Sequence, residues 1–324
     1  MNIQNLIEKY LDTESYGANL ILKECCSFPK TLPLPCHIEH GWTALPDALI
    51  TDLNVAASKG LMLVYSTRRK TAWQKKSKIP VIISGPPFVL FRKLHKIKPT
   101  TNAKGTVAFP SHSAMFVESN YDIEDYCKEL KNLPAEFKPV TICLLYPDIK
   151  RGKDKIYKKH GFEVVSAGEK VRGSLDFVKK YYEILMCHKY STSNEVGTYA
   201  FYSVEMGIPF FLTGDEPTIV NIGDKDPNIS SSGKMSDHEL GQRSNQIFGH
   251  KPNKKVTKEQ KQFLEDEFGS NVRADIKFIR KALWNNTKSV QYWLVKVPMF
   301  YLMTLVKYLV PHKLAYYIFE KLSK

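Results

Sequence analysis

The stretch CHKYSTSNEVGTYAFYSVEMGIPFFLT, residues 187–213, decides the fold class. It reads as strand, turn, helix, strand. Residues 186–190 suit a short buried strand. Ser191, Thr192, Ser193 and Asn194 form a run of small hydroxyl and amide side chains, which is helix N-cap chemistry. A helix is expected over 196–206, with Val196, Tyr199, Ala200 and Ser203 near one face. Gly207 stops it, and Pro209 leads into the strand Phe210-Phe211-Leu212. A hydroxyl-lined helix N-terminus after a strand suits an anion, since free N–H groups and the helix dipole both favour negative charge. The anion expected is a nucleotide phosphate. The same residues also suit plain capping of a βαβ unit, and spacing alone leaves both readings open.

Outward from this stretch the rhythm is regular. Strands are expected at 105–109, 140–146 and 162–166, with helices at 122–133, 148–160 and 174–185. Alternating β and α at this spacing means a parallel sheet with helices on both faces, whose ligands bind beyond the strands' carboxyl ends. Ser111, His112 and Ser113 fall at one such end, and 191–194 at another. Upstream, the polar stretch KPTTNAK (98–104) reads as a linker. Before it, 1–15 has the spacing of an amphipathic helix. Apolar runs at 61–65 and 80–83 suit buried strands around the basic STRRKTAWQKK, and Gly85-Pro86-Pro87 closes that part. The expected division is therefore an α/β domain over 1–98, a second over 105–250, and a basic helical tail over 251–324. Within the second, 223–252 reads as a long polar loop or lid. Helices are expected again at 258–268 and 272–284.

The chain has 324 residues with 47 Lys and Arg against 33 Asp and Glu, a net charge of +14. Residues 251–324 hold 15 basic and 6 acidic side chains, a net of +9, so most of the excess lies there. Such a tail suits an anionic surface. Its aromatic residues are not interleaved into a basic stacking platform, so no nucleic acid is expected. The six cysteines show neither C-x-x-C pairing nor zinc spacing, which suits buried thiols in a reducing, cytoplasmic setting. The first fifteen residues lack the basic and apolar regions of a signal peptide.

The order of parts resembles bacterial glycosyltransferases of the two-domain GT-B fold that build surface polysaccharides such as capsule, O-antigen or lipopolysaccharide. It is also similar to the polymerases that transfer glycerol phosphate from CDP-glycerol. The residues that carry the resemblance are the His40-Gly41 turn, LMLVYS (61–66), ISGPP (83–87), VAFPSHS (107–113) and STSNEVGTYAFYSVEMGIPF (191–210). The resemblance implies two Rossmann-like domains facing a cleft, an N-terminal acceptor side and a C-terminal nucleotide-donor side. It implies metal-independent sugar transfer from a nucleotide-sugar to a saccharide or lipid-linked acceptor, with no cofactor. The alternatives are a CDP-alditol phosphotransferase of the same fold and a non-enzymatic basic peripheral membrane-binding protein. There are departures: Glu195 and Glu205 are ten residues apart where many retaining enzymes have E-x7-E, and Ser111-His112-Ser113 stands where sialyltransferases carry His-Pro.

On this reading His40 is the candidate base, since imidazole can take a hydroxyl proton near neutral pH. Glu39 on the same strand faces the other way. Ser111, His112, Ser113, Thr192, Ser193, Asn194, Gly197, Thr198 and Glu205 are the candidate substrate-binding residues. His112 could bond a donor phosphate or protonate a leaving group, or simply cap a helix. Glu205 could reach a ribose or lie exposed. Arg68, Arg69 and Lys70 could grip phosphate or form a solvated run. Asp237-His238-Glu239 has metal-ligand types but no partner cluster, so no metal is expected.

Residues 290–310 are long and apolar enough to suggest a membrane span. Lys296, Lys307 and Pro298 argue against one. The two lysines lie eleven residues apart, within roughly 20° of each other on a helix. One charged stripe opposite Trp293, Phe300 and Tyr301 suits a helix lying in the interface, on the inner face of the cell membrane.

Overall fold

The computed structural model describes residues 10–12, 16–47, 50–113, 117–169, 174–222, 232–269 and 275–309. Most of the expected helix at 1–15, and residues 223–231 of the loop expected at 223–252, lie outside them. The described residues form two parallel sheets and one small antiparallel pair.

The first sheet has strands β1 (His37–Ile38), β2 (Met62–Val64) and β3 (Val81–Ile83) in that order. Helix α1 (Ala18–Cys25) precedes them, α2 (Ile50–Lys59) joins β1 to β2, and α3 (Thr67–Lys76) joins β2 to β3. Strand alternation sorts the residues of β2. Leu63 packs with Leu22, Cys26, Ile38 and Ile279 on one face, and Met62 and Val64 pack with Ala56, Trp73 and Val81 on the other. Helix α4 (Pro87–Leu94) follows β3, where the sequence suggested only a turn. Its Phe88 carbonyl accepts from Tyr182 Oη at 2.8 Å, so this helix is anchored on the second sheet's side.

The second sheet has strands β4 (Thr106–Ala108), β6 (Val140–Cys143), β7 (Glu163–Val165), β8 (Tyr190–Ser193) and β9 (Phe210–Leu212), ordered β7-β6-β4-β8-β9 and all parallel. Strand β5 (Val117–Asn120) pairs antiparallel with β10 (Thr218–Asn221), a pair the alternating pattern did not announce. Helices α5 (Ile123–Asn132), α6 (Tyr146–Lys150), α7 (Lys153–Lys159), α8 (Asp176–Met186) and α9 (Thr198–Glu205) make the connections. The helix expected over 148–160 is split because Gly152 sits at φ 80°, a left-handed conformation that α-helical backbone does not accommodate. The strand expected at 186–190 lies further on. Met186 ends α8, and Tyr-Ser-Thr-Ser is itself the strand, fully buried. Those hydroxyls are tolerated in an interior strand because they find partners on the β9 side: Ser191 Oγ donates to the Pro209 carbonyl at 3.3 Å and Thr192 Oγ1 to the Phe211 carbonyl at 2.8 Å.

The stretch 98–104 is bound to the end of α8: Thr100 N donates to the Met186 carbonyl at 2.9 Å and Lys104 N to the Cys187 carbonyl at 3.1 Å. Within the expected polar loop lies helix α10 (Glu239–Phe248), whose narrow buried face of Gly241, Ser244 and Phe248 its polar composition conceals. Helix α11 (Lys258–Phe268) packs on the second sheet, with Gln260 Nε2 donating to the Phe210 carbonyl at 3.1 Å. Helix α12 (Ile276–Asn286) returns to the first sheet through Ile279 and Leu283. A π-helical turn (Tyr292–Lys296) leads into α13 (Val297–Leu309). Tyr292 Oη donates to the Pro33 carbonyl at 2.7 Å, and Lys296 Nζ reaches the Lys59 carbonyl at 3.4 Å. Lys296 therefore turns toward the protein rather than forming an outward charged stripe. Trp293, Leu294, Tyr301, Leu302 and Leu305 face outward. The side chain of Lys307 is outside the described residues. Among those residues, no helix is long and apolar enough to cross a membrane.

Beneath the first sheet lies a buried charged cluster. Lys23 Nζ pairs with Asp12 Oδ2 at 2.6 Å, and Lys59 Nζ donates to the Leu11 carbonyl at 2.8 Å. Burial pushes the Lys59 ammonium down to about 8, against the attraction of Asp12. A lowered folded pKa means that the unfolded chain holds this proton through a window where the folded chain has lost it. Stability from Lys59 therefore rises with pH from about 8 toward the ordinary value of 10.5, with a slope approaching about 1.4 kcal/mol per pH unit. The difference in denaturant stability between wild type and Lys59→Met, measured from pH 7 to 10, should show that rise; a flat difference would remove Lys59 as its source.

Candidate functional site

A cavity of about 320 Å³ opens where the carboxyl ends of both sheets converge. From the first sheet it receives His40, Gly41 and Trp42 after β1, Tyr65 after β2 and Phe88 beyond β3. From the second it receives Phe109, Pro110 and His112 after β4, Leu144 after β6, Ala167 after β7, and Glu195 through Tyr199 after β8. This is where parallel α/β sheets hold ligands, and the strand order adds a reason. From β4 the chain runs outward through β6 and β7, then returns to β8 on β4's other side. The loops after β4 and β8 thus diverge and leave a crevice. They are joined across it: Ser111 N donates to Asn194 Oδ1 at 2.8 Å, and Ser111 Oγ to Glu195 Oε1 at 2.7 Å.

The alternation of β1 separates the two residues that follow it. Glu39 is buried, ion-paired with Arg69 and accepting from Tyr65 N at 3.2 Å. His40 is exposed, lines the cavity and stacks on Tyr16 with ring centroids 6.1 Å apart. Gly41 lies at φ 62°, and a Cβ there would stand 3.1 Å from Thr198 Oγ1. That closeness lets Trp42 N donate to Thr198 Oγ1 at 3.1 Å, joining the turn directly to the start of α9. Glu267 on α11 accepts from Trp42 Nε1 at 3.3 Å and from Arg68 Nε at 2.6 Å. Arg68 and Arg69 are therefore committed to structure rather than forming a solvated run.

Of the residues picked out from sequence, His40, His112, Gly197 and Thr198 line the cavity. Ser111, Ser113 and Asn194 are buried in the loops framing it. Ser113 N donates to Asp148 Oδ2 at 3.3 Å, and Asp148 pairs with Lys153 at 2.9 Å, which fixes the loop after β4. Thr192 and Ser193 belong to the frame: Thr192 Oγ1 also bonds Thr213 Oγ1 at 2.8 Å, and Ser193 Oγ bonds Tyr199 Oη at 2.9 Å. Helix α9 begins at Thr198, later than the hydroxyl run suggested. Glu205 lies at its far end in a two-pronged ion pair with Arg92, at 2.5 and 2.6 Å, away from the cavity. Asp237 Oδ2 accepts from Lys234 N at 2.6 Å, and no group of three or more potential metal ligands exists among the described residues.

Sequence reasoning missed two features. One is the aromatic wall, including Tyr16, Trp42, Phe88, Phe109, Tyr181 and Tyr202, which is drawn from distant segments. Tyr181 Oη is buried without a partner among the described residues. The other is Glu195. Burial pushes its carboxyl up to about 7, assisted by Glu216 and opposed by the hydrogen bonds from Ser111 and Tyr199. Its place directly after the strand was the available signal.

No protein-family model matches the chain, and no match is found among curated proteins. Among solved structures, the chain is similar to the wall teichoic acid polymerase TagF. After a 15-minute CDPG soak of that protein the TM-score is 0.38, with 12% identity over 78% of this chain and 67% of that one. A 30-minute soak gives 0.35 and 12%, covering 74% and 60%, and a further TagF structure gives 0.34 and 11%, covering 83% and 68%. At these values the likeness adds no argument to the geometry.

The Arg92–Glu205 pair binds α4 to α9. Removing one partner of a buried pair leaves the other charge uncompensated, at a cost of roughly 3–5 kcal/mol. Glu205→Ala should lose about that much in urea titration, whereas Arg92→Met with Glu205→Met should recover most of it. A stable single variant with weakened substrate affinity would instead place Glu205 at the ligand.

Proposed function

We propose that the chain is a transferase that moves a sugar from a nucleotide-sugar to a hydroxyl of a saccharide or lipid-linked acceptor, in the assembly of a bacterial surface polysaccharide. The observation that supports it is the convergence of His40 from the first sheet with His112 and Glu195 from the second in one aromatic-walled cavity. On this reading the two sheets belong to a donor side and an acceptor side, as in a GT-B arrangement. The acceptor hydroxyl attacks the anomeric carbon, His40 takes its proton, and the nucleotide phosphate leaves with the electron pair of the broken bond. Aromatic faces stack rings and keep water from the reacting carbon. His112 and the backbone amides of 196–198 would meet the departing phosphate.

The test is product analysis with UDP-, GDP- and CMP-sugars and CDP-alditols. Glycoside formation is expected. Transfer of an alditol phosphate would move the reaction from carbon to phosphorus at the same site, and inertness toward every donor would end the transferase reading. His40→Ala should lose about 10²- to 10⁴-fold in turnover and keep donor affinity; near-normal turnover would remove His40 from the mechanism.

The same reading places the enzyme on the inner membrane face, where a lipid-linked acceptor would be met. Its support is the outward apolar surface of Trp293, Leu294, Tyr301, Leu302 and Leu305, together with the basic excess of residues 251–324. Because Tyr292 is anchored on the first sheet, point changes test this better than truncation. Trp293→Ser with Leu294→Ser should release the protein from anionic liposomes at low salt without changing its urea midpoint. Equal retention of both proteins would remove this surface from docking.

A further inference from the structure

We propose that Glu195 is a second catalytic residue of this cavity, a protonated carboxyl that donates to an oxygen of the departing nucleotide phosphate. The proposal rests on the transferase reading. Three features of the geometry carry it.

Glu195 follows β8 at the crevice made by the reversal of strand order, where the nucleotide phosphate is expected. Among the described residues no Lys or Arg lines the cavity, and none pairs with Glu195. An ionised carboxylate there would repel a phosphate; the protonated acid is a donor. The hydrogen bonds also have a direction. Ser119 Oγ donates to Ser111 Oγ at 2.6 Å, and Ser111 Oγ donates to Glu195 Oε1 at 2.7 Å. Oε1 is thus held as an acceptor by Ser111.

The surroundings favour the acid. Burial, assisted by Glu216 and opposed by the hydrogen bonds from Ser111 and Tyr199, raises its pKa to about 7. The groups facing it are the hydroxyls of Ser111, Tyr199 and Tyr121, and across the cavity His112 and His40. Tyr199 Oη donates to the Glu195 carbonyl at 3.2 Å, which fixes the loop.

The step balances. The acceptor oxygen bonds to the anomeric carbon and its proton passes to His40. The carbon–oxygen bond to phosphate breaks, and that oxygen keeps the pair and takes the Glu195 proton. Glu195 is left as a carboxylate, and solvent returns the proton from His40. Ser111 is a positioning residue that holds Oε1.

The experiment measures binding of UDP-glucose, GDP-mannose and CDP-glycerol, whose diphosphodiester charge is constant from pH 6 to 8.5. Donor affinity should fall about tenfold or more as pH rises through 7, following ionisation of the acid. Glu195→Gln keeps a donor but cannot ionise. In a His112→Gln background, which removes the imidazole's own titration, donor affinity should therefore fall with pH when Glu195 is present and be flat when it is Gln. Glu195→Gln alone should lose about 10²-fold in turnover. Ser111→Ala removes a bond that favours the carboxylate, so the fall should move to higher pH. Two results would overturn the proposal and leave the transferase reading intact: pH-independent donor binding by the wild type, or normal turnover by Glu195→Gln. Absence of binding by all three donors, in protein with an unchanged urea midpoint, would count against both.

Discussion

The site depends on how β8 satisfies its own hydroxyls. Tyr-Ser-Thr-Ser is an unlikely composition for the strand beside the centre of a parallel sheet, since each buried hydroxyl without a partner costs roughly 1–3 kcal/mol. Here Ser191 and Thr192 bond to carbonyls of the β9 side, and Ser193 bonds to Tyr199. Small side chains let α9 lie close over the strand's end. Larger apolar residues would push that helix away and widen the crevice that Ser111 and Glu195 bridge.

A second constraint sets the two sheets against each other. Trp42 is the meeting point: its amide bonds to Thr198 on α9, its indole nitrogen to Glu267 on α11, and its ring packs on Phe201 at 5.0 Å. Because Trp42 is two residues from His40, the position of the imidazole over the cavity is fixed by the second sheet as well as the first. The Arg92–Glu205 pair makes a further join from α4. Packed aromatics between these points, Phe88 on Tyr202 at 5.1 Å among them, resist sliding because interiors are close-packed.

Much of the α/β rhythm was legible, for a physical reason. Short apolar runs such as Met62–Val64 and Phe210–Leu212 bury on both faces and leave a continuous apolar signature. Helix α11 carried its own start signal in Thr257 and Gln260, which form a capping box. Three features were hidden. Strand β8 was hidden because its hydroxyls look like a cap until their partners on β9 are known. Helix α10 was hidden because one phenylalanine, Phe248, anchors it. The inward turn of Lys296 was hidden because a π-helical turn changes the phase on which an even helical wheel depends. His40 and His112, which line the cavity, were picked out because a histidine after a strand announces itself. Glu195 was passed over because a carboxyl gains interest only when its neighbours are seen to include no cation.

That last point bears on how an aromatic cavity can handle anions. A basic cavity would hold a nucleotide tightly before and after reaction, and product release would suffer with it. A wall of aromatic rings supplies stacking area with little net charge, so polar contributions come from the few groups that reach the surface. The protonated carboxyl proposed for Glu195 is one. Neutral donors of this kind stabilise a developing phosphate charge by short-range hydrogen bonds, which strengthen as the charge forms and in a low-dielectric setting. On the proposed transferase reading, discrimination between ground state and transition state falls to geometry rather than to bulk charge. The chain's own basic excess lies elsewhere, most of it in residues 251–324, so the absence of Lys and Arg from the cavity lining among the described residues is a property of the site rather than of the composition.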